Sequence, residues 1–223
     1  MKLINKVMLW GAALCFFIPK TSAQFDKLNY RAEAGITYSK ISNFGTGTPL
    51  LGFRVSGQVL LPFEHSKFAL VSGLTLTNKG ETDQTFFEKK RPQDNLKGVY
   101  NTRLMYLQIP LDISLRLDFH PDHKVYLATG PYFAIGLTAS TTTNGKTILK
   151  LYDKDGDGGQ TPFKRTEFGW GANLMYAFKN IYLKTGLELS LTDVMNPTPT
   201  VKSHLGDGSR RHGVAYLTLG YQF

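Results

Sequence analysis

The chain has 223 residues, with 26 Lys and Arg against 17 Asp and Glu, and therefore a formal net charge of +9. Its 42% hydrophobic and 13% aromatic content excludes a disordered chain. A mean hydropathy of −0.19 argues against a bundle of membrane helices. A basic chain often binds an anionic partner, so the location of the positive charge matters.

The first 23 residues have the three parts of a secretory signal peptide. Lysines precede an apolar run over residues 7–18, and cleavage is predicted between Ala23 and Gln24. The run is too short to span a bilayer, which disfavours the alternative of a permanent anchor. The mature domain, residues 24–223, loses three lysines and the only cysteine, so its net charge is +6 and it has no disulfide.

Apolar and polar residues alternate along most of the mature chain, which indicates β-strands. The alternation is clearest over residues 181–192, where Ile181, Leu183 and Leu187 share one face with Leu189. We place strands near 28–41, 51–63, 68–79, 102–119, 125–139, 165–178, 181–192 and 213–223.

The connections between these strands alternate between tight turns and long loops. An even number of strands with this alternation is typical of an outer-membrane barrel with both termini in the periplasm. The alternative is a soluble sandwich or lipocalin-like barrel, in which tight turns and long loops are not expected to alternate. Aromatic residues near strand ends fit interfacial girdles; they are Tyr30, Tyr38, Phe53, Phe63, Phe68, Phe119, Phe168, Phe178, Tyr221 and Phe223. The sequence predicts an eight-stranded antiparallel transmembrane β-barrel.

Several short motifs occur in order along the chain, among them YLQIPL at residues 106–111 and YLATGPY at residues 126–132. These motifs resemble the PorT-type outer-membrane β-barrel family of Bacteroidota. The namesake of the family belongs to the type IX secretion apparatus, so the resemblance implies an outer-membrane location and a role accessory to secretion. Leu219, Tyr221 and Phe223 resemble the C-terminal signal that the barrel-assembly machinery reads.

Two prolines lie inside predicted strands. Pro110 and Pro131 fall in the fourth and fifth strands, where proline removes a hydrogen bond of the ladder and a closed barrel offers no edge. We therefore expect β-bulges at both prolines.

The inward-facing positions carry a nearly balanced set of charges. A narrow barrel is filled by its own side chains, and charges shielded from water need partners. This favours a polar plug over the alternative of a narrow solute or ion path. The expected interior network contains Arg31, Glu33, Arg54, Asp112, Arg116, Lys184 and Glu188, together with Gln58 and Gln108.

One long loop contains part of a calcium-binding pattern. Asp153, Asp155 and Asp157 match the first half of an EF-hand loop, but Lys164 occupies the position of the bidentate Glu. Weak Ca²⁺ binding is one interpretation, and a solvated Asp/Gly turn is the favoured one.

An enzyme with a site at the barrel rim is a further alternative. Its candidate residues are His204 and His212, with Ser203, Ser209, Asp193 or Asp207 nearby. Their spacing matches no nucleophile motif, so we expect no enzymatic activity and no cofactor.

We expect a structural, interaction or secretion-accessory protein of the outer membrane. The expected partners are outer-membrane lipid and lipopolysaccharide, the barrel-assembly machinery, and a secretion-system or surface protein. The secretory signal and the absence of a binding module exclude nucleic acid as a partner.

Overall fold

The structure is a computed structural model that describes residues 28–42, 47–83, 100–143, 146–150, 152, 161, 163–196 and 208–223. The predicted cleavage site at Ala23 and Gln24 lies outside the described residues. The calcium candidates Asp153, Asp155 and Asp157, and the rim candidates Ser203, His204 and Asp207, also lie outside them.

The described residues form β-strands joined by turns and irregular segments. The strands are β1 (Asn29–Ile41), β2 (Thr48–Pro62), β3 (Phe68–Asp83), β4 (Tyr100–His120), β5 (His123–Thr143), β6 (Lys146–Lys150), β7 (Thr166–Phe178), β8 (Ile181–Ser190) and β9 (His212–Gln222). Within the described ranges, no helix has the length and hydropathy needed to cross a membrane.

Eight of these strands close into an antiparallel barrel. Each pairs with its neighbour along the chain, with β5 pairing with β7, and the ring closes where β1 pairs with β9. The prediction of a closed eight-stranded barrel is confirmed. Strand β6 was not predicted; among the described residues it pairs with the end of β5, outside the ring. The sequence Asn144-Gly145 before it is a hairpin signal that could have revealed it.

The apolar face of the barrel points outward. Strand β8 alternates exposed and buried residues along its whole length, and Leu187 and Leu189 on its outer face are 63% and 62% exposed. A closed sheet with an apolar exterior satisfies its backbone internally and places its side chains in lipid. All ten aromatic residues predicted for the girdles are exposed as well.

The expected β-bulges at the two prolines are wrong. The β3–β4 ladder keeps one register from Ser72↔Leu111 to Thr75↔Gln108, on both sides of Pro110. The ladder of β4 and β5 likewise keeps its register across Pro131. Each proline lacks the N–H of a ladder hydrogen bond, but neither strand has the extra residue that defines a bulge. The Ser72 hydroxyl donates to the Pro110 carbonyl at 2.8 Å.

The two ends of the barrel differ. We name the end with the connections 63–67, 121–122 and 179–180 the turn end, and the opposite end the loop end. The walls are uneven at the loop end, because β4 and β5 have 21 residues each, against 10 in β8.

Candidate functional site

The middle of the barrel interior holds a network of buried charges, which we name the central ionic cluster: Glu33, Arg54, Lys184 and Glu188. Arg54 Nη1 donates to Glu188 Oε1 at 2.8 Å, and Lys184 Nζ lies 2.6 Å from Glu33 Oε2. Arg54 Nε is 3.9 Å from Glu33 Oε1. The inward positions of β1, β2 and β8 therefore contribute two cations and two anions that pair with one another.

Arg31 and Asp112 face the same interior and find neutral partners. The Arg31 guanidinium lies 4.6 Å from the centroid of the Tyr126 ring and donates to Gln222 Oε1 at 3.0 Å. Asp112 Oδ2 accepts a hydrogen bond of 3.2 Å from Asn173. Both residues lie toward the turn end from Arg54, with most of their side chains buried.

Arg116 does not join the interior network. Its side chain is 46% exposed, and Arg116 Nε donates to Asp118 Oδ2 at 3.2 Å at the rim of the turn end. The alternation of β4 assigns Arg116 to the inward face, but the residue lies so close to the end of the strand that its side chain reaches solvent.

A second buried network was not predicted, and we name it the loop-end ionic cluster: Lys79, Glu167 and His212. Lys79 Nζ lies 2.9 Å from Glu167 Oε1, and His212 Nδ1 lies 2.7 Å from Glu167 Oε2. The Tyr132 hydroxyl donates to Glu167 Oε1 at 2.7 Å. Lys79 Nζ is also 3.7 Å from Glu188 Oε2, so the two clusters are continuous.

Apolar side chains cover the loop-end ionic cluster. A β-bridge joins Phe163 to Met195, and Lys164 N donates to Val194 O at 2.8 Å. Tyr152 belongs to the same buried cluster, and this burial raises the pKa of its hydroxyl to about 12. The cap consists of Ile41, Leu104, Ala139, Tyr152, Phe163, Val194 and Met195, all buried in one hydrophobic cluster.

Buried apolar clusters also line the interior toward the turn end. Leu60, Ala69 and Val71 form one buried apolar cluster there. Tyr126 and Tyr182 belong to a second one, which also includes Met175 and Ala177. The two ionic clusters therefore lie between apolar layers, and the cavity bordered by Arg54, Gln108, Asp112 and Glu188 has a volume of about 10 Å³, room for about one water molecule.

Of the rim-enzyme candidates, the structure describes Asp193, Ser209 and His212, and it gives His212 other partners than Ser209 and Asp193. His212 is 1% exposed and contacts Glu167 and the edge of the Tyr106 ring. Ser209 instead donates a hydrogen bond to Asp193 at the surface, and this bond lowers the pKa of Asp193. Among the described residues, no three His, Cys, Asp or Glu side chains are placed to hold a metal ion.

A closed barrel with an apolar exterior and a polar interior defines an outer-membrane β-barrel protein. Residues 22–196 match the family described as outer membrane protein beta-barrel domain. The chain belongs to this family, and its location is the outer membrane.

Several solved outer-membrane barrels are similar to this chain. Neisserial surface protein A has 12% identity, and the match covers 88% of this chain and 97% of that one, with a TM-score of 0.46. A major outer membrane protein of Thermus thermophilus has 10% identity, 88% and 99% coverage, and a TM-score of 0.49. OprG of Pseudomonas aeruginosa has 10% identity, 87% and 95% coverage, and a TM-score of 0.47. Comparison with curated proteins finds no match.

Proposed function

We propose that this protein is a closed, non-conducting barrel that acts as a structural or interaction component of the outer membrane. The observation that carries the proposal is the filled interior, in which two ionic clusters lie between two apolar layers. A solute would have to break ion pairs such as Arg54–Glu188, whose side chains are at most 4% exposed. Breaking a buried pair leaves an uncompensated charge, which costs about 3–5 kcal/mol.

Conductance in a planar bilayer tests this closure. We expect the purified barrel to give no steady single-channel steps, because the ionic clusters and both apolar layers obstruct the same path. Phe163→Ala, which thins the cap, should remain closed because the deeper layers persist. Steady steps in the unaltered protein that change in Glu188→Ala but not in Arg116→Ala would establish the rival function, a narrow pore.

We propose further that both termini and the turn end lie in the periplasm. The short turns support this orientation, since outer-membrane barrels have short periplasmic turns and longer extracellular loops. Exposed Gly208 at the loop end and exposed Lys67 at the turn end provide matched labelling sites. A membrane-impermeant maleimide should label Gly208→Cys on intact cells and Lys67→Cys only after lysis. The reverse result would invert the orientation.

The resemblance to the PorT-type family of Bacteroidota supports a role accessory to secretion. With a closed interior, such a role would be performed by contact with a protein partner rather than by transport. Site-specific crosslinking in cells from Gly208 at the loop end and from Lys67 at the turn end would identify that partner. We expect a secretion-system component or a secreted surface protein. Recovery of the barrel-assembly machinery alone would contradict the secretion role.

A further inference from the structure

Two cations lie next to each other on the outer surface at the loop end. Lys40 is the penultimate residue of β1, and Arg211 directly precedes β9. Lys40 pairs with Gly213, and Ser42 N donates to Arg211 O at 2.9 Å. The two cations are therefore diagonal neighbours across the pairing of β1 and β9. Diagonal neighbours of this kind have about 7–8 Å between their backbones. Side chains of this length can contact one phosphate from both sides.

A shallow apolar groove runs from these cations toward the middle of the barrel. Its floor is Gly213 and Ala215, consecutive outward positions of β9. Its walls are Tyr38 of β1, 55% exposed, and Leu187 and Leu189 of β8. A Cβ atom at Gly213 would meet only Leu189 Cδ2, at 3.8 Å, so the space above the glycine is open.

Asp193 helps to position one of the cations. Arg211 Nε donates to Ser209 Oγ at 3.1 Å and lies 4.0 Å from Asp193 Oδ1, while the Arg211 side chain remains 50% exposed. Asp193 is thus an acid that faces the site. Together with Lys40 and Arg211 it leaves a net charge of one positive unit, which suits an anionic ligand.

The combination of cations and groove fits a lipid that carries both a phosphate and an acyl chain. Tyr38 belongs to the aromatic residues of the interfacial girdle, where lipid headgroups lie. Basic side chains just beyond such a girdle attract anionic headgroups. An acyl chain that lies over Gly213 and Ala215 would bury the exposed flanks of Tyr38 and Leu189.

We propose that this surface binds one phosphorylated, acylated glycolipid of the lipid A type, with its phosphate between Lys40 and Arg211. The acyl chain occupies the groove over Gly213 and Ala215. The choice of glycolipid rests on the orientation proposed above, because that orientation places the loop end in the outer leaflet, where lipid A resides. The site would hold the barrel at a defined depth and rotation among its lipids.

Native mass spectrometry of the full barrel in detergent tests the site, with lipid A, dephosphorylated lipid A and phosphatidylglycerol as probes. Lys40→Gln/Arg211→Gln should weaken lipid A binding roughly thirtyfold, since each basic residue near a lipid surface contributes about 1 kcal/mol. Gly213→Leu should weaken binding by filling the groove. The matched control is Arg103→Gln, an exposed outward cation at the loop end of β4, which should bind lipid A normally.

Several outcomes would overturn the proposal. They are equal lipid A binding by the double variant and the unaltered protein, equal loss in the Arg103→Gln control, and equal binding of the dephosphorylated or phosphatidylglycerol probes. Heat-dependent electrophoretic mobility shows whether each variant is folded. Because binding is measured in detergent, failure of the site is distinguishable from an inverted orientation, which only the labelling of Gly208→Cys and Lys67→Cys on cells reports.

Discussion

Ion pairs occur in two very different regions of this barrel. In the interior, Arg54 and Glu188 have side chains that are 2% and 4% exposed, with 2.8 Å between Nη1 and Oε1. At the rim of the turn end, Arg116 and Asp118 are 46% and 40% exposed and 3.2 Å apart. The distances are similar, but the surroundings are not. Water solvates the rim charges whether or not they pair, whereas the interior charges depend on each other.

The interior ion pair is required for the barrel to be stable, whereas the rim pair forms because the folded barrel brings its two residues together. In a barrel the apolar residues face lipid, so the interior cannot rely on a conventional hydrophobic core. Interior charges must neutralise one another because an unpaired buried charge is costly. The rim pair gains little, because screening and side-chain entropy offset its attraction. Substitutions in the two regions should differ accordingly.

Glu188→Ala should have the largest effect. The substitution removes the acceptor of both Arg54 and Gln108 and a neighbour of Lys79, and it leaves an uncompensated cation. We expect a loss of about 3–5 kcal/mol in the free energy of unfolding, measured by urea unfolding in detergent micelles. The matched control is Asp118→Ala, an acid of the rim. Equal losses in the two variants would show that burial does not distinguish the regions.

Lys79→Met should come next, because it removes the cation nearest to Glu167 but leaves His212 and Tyr132 as partners. We expect a loss of about 2–3 kcal/mol by urea unfolding. The double variant Lys79→Met/Glu167→Leu should recover part of that loss, since apolar residues of similar volume often replace buried pairs without cost. A double variant less stable than Lys79→Met would mean that Glu167 is held mainly by its other partners.

The loop-end ionic cluster also shows which interior residues the sequence did not predict. The alternation in each strand predicts which face a residue occupies, and it placed Glu33, Arg54 and Glu188 inside. Lys79 shares the face of Thr75 and Thr77, but it is the last residue of the predicted strand 68–79, and the predicted interior network does not include it. The ladder with β4 extends that strand to Asp83. Strand length depends on pairing with a neighbour, which one strand's own sequence does not contain.

Arg116 shows the complementary error. Arg116 occupies the same face of β4 as Asp112, but alternation does not show how deep a residue lies along the barrel axis. Four residues along β4 are enough to move a side chain from the interior to the rim. The part of the apolar cap that lies outside the strands had no periodic signal either. Phe163 and Met195 belong to a single β-bridge between segments outside the strands. The barrel itself was predictable because eight alternating strands repeat one signal, and these isolated features do not.

Arg116→Ala should have a small effect. The rim pair is half-exposed, and surface pairs of this kind contribute about 0–1 kcal/mol. Urea unfolding should therefore detect a change of at most about 0.5 kcal/mol, and the difference from the unaltered protein should vanish in high salt because screening weakens exposed pairs. A larger loss that persists in high salt would place Arg116 in the interior network after all.

Asp193→Asn should have the smallest effect, and its size depends on pH. The hydrogen bond from Ser209, with a second from Arg210 N at 3.1 Å, lowers the pKa of Asp193 in the folded protein. A lowered pKa stabilises the fold above the unfolded value of about 3.9, and this contribution is lost as the pH falls through the folded pKa. Asp193→Asn should thus be less stable than the unaltered protein at neutral pH, by at most about 0.5 kcal/mol because the group is exposed. The difference should shrink in urea unfolding as the pH falls through the lowered pKa of the folded protein, since below it the carboxyl is neutral in both states. A difference that grows on acidification would mean that the carboxyl is destabilised in the folded barrel, and that the rim differs from the interior in more than its exposure to water.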